Sequence, residues 1–107
     1  MFSMDGIMAN LPEIKKLAVT YNSLLLVDDS HGLGTCGKTG KGALEYWNME
    51  GQVDIVTGTC GKSLSSIGGY VATTKNLADY IKYSRGGTFS CQIPPFSAAT
   101  ALEALKV

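Results

Sequence analysis

Four consecutive apolar residues, Leu24-Leu25-Leu26-Val27, constrain the fold of this chain more than any other stretch. A run with no polar alternation predicts a strand buried on both faces, as in a parallel sheet covered by helices. The residues ahead of it have the other period. Leu11, Ile14, Leu17, Ala18 and Tyr21 recur at helical spacing, while Lys15, Lys16 and Thr20 face away. Asn10-Leu11-Pro12-Glu13 supplies the start of that helix, with a capping asparagine, a proline in the first turn and a glutamate three residues after the cap. Asn22 supplies a stop. A helix followed by a buried strand is half of a βαβ unit and points to an α/β fold.

Further elements continue the alternation. Ala43 to Trp47 predicts a short helical turn, Val53 to Val56 a second apolar strand, and Gly68 to Thr73 a third. Leu77, Tyr80 and Ile81 mark a short helix, Phe89 to Ile93 reads as extended up to Pro94-Pro95, and Phe96, Ala99, Leu102 and Leu105 build a last helix. Nine basic and nine acidic side chains cancel among 107 residues, which gives no electrostatic reason to expect nucleic acid or an acidic membrane as partner. No apolar run approaches the roughly 20 residues that span a bilayer, and the first residues lack the pattern of a signal peptide. Cys36, Cys60 and Cys91 are odd in number and far apart, against a disulfide framework or a structural zinc site. The expected location is the cytoplasm. Both ends fall inside patterned stretches, so residues 1–107 read as part of a domain truncated at each end.

Three places carry candidate chemistry. Gly32-Leu33-Gly34-Thr35-Cys36-Gly37-Lys38-Thr39 matches the phosphate-binding pattern G-x-x-x-x-G-K-[ST] in full. A true phosphate loop runs from strand through glycines straight into a helix, whose first amides hold the anion. Here Gly40-Lys41-Gly42 follows, a poor first turn, and the preceding strand ends four polar residues too early. A glycine-rich surface loop is the favoured reading over a nucleotide binder.

The second place is Asp28 with His31, the only histidine, at the carboxyl end of the first strand, where α/β sheets place ligands. A carboxylate there needs a cation, either a ligand's protonated ring nitrogen or one of the chain's own bases. The third is Lys62, set among small and hydroxyl residues after the second strand in Val53-Asp54-Ile55-Val56-Thr57-Gly58-Thr59-Cys60-Gly61-Lys62-Ser63. An acid at one strand end, an imidazole three residues on and a lysine at the next strand end are the groups pyridoxal 5'-phosphate (PLP) requires: an imine-forming amine, a partner for the ring nitrogen and nearby polar groups.

Ser3-Met4-Asp5-Gly6, Val27-Asp28-Asp29-Ser30-His31-Gly32, Gly37-Lys38-Thr39-Gly40-Lys41-Gly42 and Thr57-Gly58-Thr59-Cys60-Gly61-Lys62-Ser63 resemble, in order and at family spacing, the PLP-dependent α-oxoamine synthases. That group includes glycine C-acetyltransferase, 8-amino-7-oxononanoate synthase, 5-aminolevulinate synthase and serine palmitoyltransferase. The resemblance implies the large PLP-binding domain of a fold-type-I transferase, with a mostly parallel sheet and flanking helices. It implies condensation of an amino acid with an acyl-CoA to give an α-amino ketone. Lys62 then resembles the Schiff-base lysine that holds PLP covalently, Asp28 the partner of the ring nitrogen, and His31 the histidine near the phenolic oxygen that also assists the acyl chemistry. Ser3 matches a serine near that oxygen and Thr59 a phosphate ligand. Ser90 matches a segment that reaches the phosphate held by a partner subunit, which implies a homodimer.

The chain departs from the family at Cys91, where serine, threonine or asparagine is usual. It also lacks the upstream ring-stacking residue and the downstream arginine for the substrate carboxylate. A catalytically inactive piece of a split or truncated gene is therefore the competing expectation.

Overall fold

The computed structural model describes residues 1–106. Asn10 opens helix α1 (Leu11–Thr20) as its chemistry predicts, its Oδ1 accepting the Glu13 amide at 3.4 Å. Asn22 takes a left-handed conformation (φ 49°) just beyond the helix end, which a short polar side chain tolerates better than most. Strand β1 (Leu26–Asp28) follows, then a glycine-rich loop and the single-turn helix α2 (Ala43–Tyr46). Strands β2 (Ile55–Thr59) and β3 (Gly69–Thr73) complete a three-stranded sheet in the order β1-β2-β3. Helices α3 (Lys75–Tyr83), α4 (Arg85–Phe89) and α5 (Pro95–Ala104) finish the chain.

The architecture is α/β with a mixed sheet. β1 and β2 run parallel with Asp28 opposite Thr57, and β3 is antiparallel to β2 with Tyr70 opposite Gly58. Asp54 fixes the entry to the parallel pair, accepting the Leu25 amide at 2.8 Å on its carboxylate. Two apolar clusters hold the layers. Leu25 and Val27, on one face of β1, pack with Leu11 and Ala18 of α1, Ala43 of α2 and Met49. Cys60, Leu64 and Ala101 of α5 form the other cluster, with Leu33 and Tyr70 against it. The Trp47 indole N–H, donated to the Ala9 carbonyl at 2.9 Å, ties α2 back to the segment before α1.

Two expectations are corrected. The apolar run is not buried on both faces: Leu25 and Val27 are covered, but Leu24 and Leu26 are 69% and 54% exposed. Alternate residues of a strand point to opposite sides, and among the described residues only one side of β1 is packed. Phe89 is also not extended, because it ends α4. Ser84 makes that helix possible despite Gly86 and Gly87 by accepting the Gly87 amide on its hydroxyl at 3.2 Å. The chain is extended only after it, up to the proline that begins α5.

Candidate active site

The two strand ends come together because β1 and β2 are parallel neighbours. Asp28, Thr57 and Thr59 share one face by register and alternation. Thr57 Oγ1 donates to Asp28 Oδ2 at 2.8 Å, and the Ser30 amide donates to Oδ1 at 3.1 Å. The hydrogen bonds from Ser30, with that from Thr57 and the nearby charge of Lys62, hold the Asp28 carboxyl below the usual carboxylate range. The group stays ionised, exposed and oriented, and each oxygen keeps a lone pair for another donor.

Lys62 stands on a tight turn that closes β2. The Cys60 amide donates to the Gly68 carbonyl and the Ser66 amide to the Cys60 carbonyl, each at 2.8 Å. Leu64 anchors the turn in the core, while the Lys62 side chain is exposed and forms no ion pair among the described residues. Thr59 Oγ1 accepts the Gly61 amide at 3.0 Å and lies 3.2 Å from the Gly68 carbonyl, to which it donates. It is thus half spent inside the turn. Gly58 leaves no room for a side chain, since a Cβ there would run into the Tyr70 ring and hydroxyl.

Ser3, Asp28 and His31 line one cleft of about 400 Å³ beside β1. Lys62 reaches this group through its charge on Asp28 rather than as part of the cleft wall. Ser90 lies elsewhere, in a second cleft bordered by Ile81 and Ile93, with its hydroxyl donated to the Gly86 carbonyl. The structure therefore brings Ser3, Asp28 and His31 to one cleft, places Thr59 at the end of β2 and Lys62 on the turn after it, and sets Ser90 apart.

Three polar residues escaped sequence reasoning. Thr57 is legible in hindsight, because it lies two residues before Thr59 on the same face. Asp29 neighbours Asp28 but points inward and is 3% exposed, its Oδ2 accepting the Ala43 amide at 2.8 Å. Its Oδ1 is buried without a partner, and burial pushes the carboxyl up from its usual range. Glu45 had no sequence signal. It accepts the Thr39 and Lys41 amides on Oε2 at 3.0 and 3.1 Å and the Thr39 hydroxyl on Oε1 at 2.7 Å. The Thr39 amide is one a phosphate would need in the nucleotide-loop reading, and a carboxylate already takes it.

Residues 1–107 match the family described as aminotransferase class I and II. The chain belongs to that family. It is 46% identical to the 8-amino-7-oxononanoate synthase of Thermosipho melanesiensis over 107 residues, covering 99% of this chain and 27% of that protein. It is 42% identical to the serine palmitoyltransferase of Bacteroides ovatus, with the same two coverages. A high-resolution structure of SPT with a PLP internal aldimine superposes with a TM-score of 0.87 at 33% identity, over 99% of this chain and 27% of the other. These relatives are the α-oxoamine synthases the motifs resembled. The chain spans about a quarter of the length of the curated relatives it matches.

The side chains at the strand ends suit PLP. An ionised carboxylate with spare acceptor capacity fits a protonated ring nitrogen, and an exposed lysine fits an aldehyde. No helix among the described residues is long and apolar enough to cross a membrane.

Proposed function

We propose that this chain is the central part of the PLP-binding domain, residues 1–107, of an enzyme that condenses an amino acid with an acyl-CoA to an α-amino ketone. The observation that carries the reading is the placement of Asp28 at the end of β1 and of Lys62 on the turn after the neighbouring parallel strand β2, in a chain whose relatives are oxononanoate synthases and serine palmitoyltransferases. Bound PLP would supply an electron sink for the substrate's α-carbon. Asp28 would accept the ring N–H, and its ionised state, secured by Ser30 and Thr57, keeps that proton in place. Lys62 would be the amine that holds the cofactor. His31 and Ser3, on the cleft wall with Asp28, would orient the phenolic oxygen, and His31 the acyl carbonyl. Thr59 would donate to the phosphate by giving up the Gly68 carbonyl. Ser90, remote from this group, would serve a second subunit in a homodimer, and the assembled enzyme would work in the cytoplasm.

The competing reading is a non-catalytic piece. One experiment addresses both. PLP is added to the purified chain, the product is reduced with borohydride, and the modified peptide is mapped. Label on Lys62 supports the cofactor site; label on Lys38 or Lys41 instead removes its basis. Label on Lys62 with no turnover of any amino acid and acyl-CoA pair assigns the chain to the second reading.

A further inference from the structure

The loop between β1 and α2 is built from glycines in left-handed conformations: Gly34 (φ 80°), Gly37 (φ 86°), Gly40 (φ 81°) and Gly42 (φ 99°). Such a segment has more backbone freedom than any other in the chain, so its shape must be imposed from outside. Glu45 imposes it. One carboxylate gathers three donors from Thr39 and Lys41, and its side chain fills the space beside Gly37 where a Cβ would otherwise sit. Charge-assisted bonds of this kind are about twice as strong as neutral ones.

The shape Glu45 imposes has a consequence across the molecule. Thr39 and Lys41 flank Gly40, whose carbonyl accepts the Gly34 amide at 2.7 Å. Gly34 in turn lies so close to Ser63 that a Cβ on it would collide with the serine Cβ and Oγ. Ser63 is the residue after Lys62. On its other side the turn is anchored by Leu64 in the core and by the Ser65 amide donated to the Lys62 carbonyl at 3.0 Å. The loop is thus the wall against which the lysine turn rests.

We propose that Glu45 is a positioning residue for Lys62, acting through Gly40 and Gly34 on Ser63. The proposal rests on the reading of Lys62 as the cofactor lysine. Three variants test it in this chain: Glu45→Ala, Glu45→Gln, and Lys41→Ala as a control that removes a side chain but keeps the clamped amide. Two readouts are taken, amide exchange and chemical shift by NMR, and borohydride-fixed PLP at Lys62. In Glu45→Ala the Thr39 and Lys41 amides should exchange at least about tenfold faster, the loss of one charge-assisted bond. The Lys62 and Ser63 resonances should move, and the label on Lys62 should fall several-fold while the far-ultraviolet circular dichroism is retained. Glu45→Gln, with one accepting oxygen, should fall between wild type and alanine, and Lys41→Ala should match wild type. If Glu45→Ala unfolds, the same readouts in Glu45→Gln decide. Faster exchange at Thr39 and Lys41 with Lys62, Ser63 and the label unchanged would overturn the proposal. A wild-type chain that takes no label on Lys62 while Glu45→Ala still shifts Lys62 and Ser63 would sink the cofactor reading and leave the coupling standing.

Discussion

The glycine loop and the paired strand ends are both rich in small residues and backbone donors, yet they spend those donors in opposite ways. In the loop, Asp29 takes the Ala43 amide and Glu45 takes the amides of Thr39 and Lys41, so the chain's own carboxylates satisfy it from within. At the strand ends, Asp28 is oriented by Ser30 and Thr57 but left exposed, and Lys62 stands on its turn without an ion-pair partner among the described residues. A motif with the right letters is inert when its polar groups are already paired. Asp28 and Lys62 are the opposite case, with groups that are oriented or exposed and left over for another partner. Substitutions at the packed glycines of the loop should therefore cost stability, and those at the strand ends should change ionisation instead.

The largest effect should come from Gly42→Ala. The position combines φ 99° with direct contact between a Cβ and the Asp29 carboxylate, so backbone strain adds to a displaced buried acceptor, about 3 kcal/mol together. Gly51→Ala is the matched control, with φ 74° and open space around it, and should cost about 1 kcal/mol. Urea denaturation of both measures the difference. Equal costs would mean that Asp29 does not knit the loop.

Next in size is Thr57→Val. Asp28 loses one of the bonds that hold its carboxyl low, so its pKa should rise toward the ordinary value, followed by NMR titration of the carboxyl carbon. Water competes for this exposed bond and can replace it, so the urea midpoint should move less than for Gly42→Ala. The sign is fixed by the lowered folded pKa: stability from Asp28 is present above the unfolded value and is lost as pH falls through the folded one. An unshifted Asp28 in the valine variant would mean that Ser30 and Lys62 alone set its charge.

The strand ends were legible in the sequence because their signals are local. A cap at Asn10, an apolar run ending in Asp28 and a second ending before Lys62 each depend on a few neighbouring residues. The exposed flank of β1 was not legible, because Leu24 to Val27 state only that the residues are apolar, not which face finds a partner. α4 was hidden by Gly86 and Gly87, whose poor propensity is overridden by one serine cap. Asp29 and Glu45 were missed for a different reason. Their partners lie 14 and six residues away, across glycine turns whose course no period describes.

Asp29 gives the third test, with the opposite sign to Asp28. Burial raises its folded pKa, so its contribution to stability is complete below the unfolded value and is lost as pH rises toward the folded one. An asparagine in its place would resemble the protonated form, the amide oxygen still able to accept the Ala43 amide. The stability of Asp29→Asn relative to wild type should therefore grow as pH rises from about the unfolded carboxylate range, near 4, toward neutrality. A difference that is flat with pH would show that the unpartnered Oδ1 is not desolvated as the structure has it.

The smallest effect, and the one that most directly tests the contrast between the two regions, should come from Lys38→Ala. Lys38 is the lysine of the nucleotide-loop pattern, exposed and without an ion-pair partner among the described residues. Its removal should change stability by no more than about 0.5 kcal/mol, as for an ordinary surface site. Label on Lys62 should be unchanged, and magnesium-ATP should not bind measurably to either form. The physical reason lies in the amides rather than in the lysine. A phosphate needs backbone N–H groups that are free and a helix start that faces it. Thr39 and Lys41 donate instead to Glu45, and the first amide of α2, at Ala43, donates to Asp29. A polyphosphate entering the loop would meet two carboxylates where it needs donors, and displacing either would cost the bonds that shape the loop. Calorimetric titration of ATP into wild type and Lys38→Ala reads this directly. Magnesium-dependent binding that disappears in the variant would show that the loop's donors are available after all, and the distinction between an inert motif and an active pair would fail.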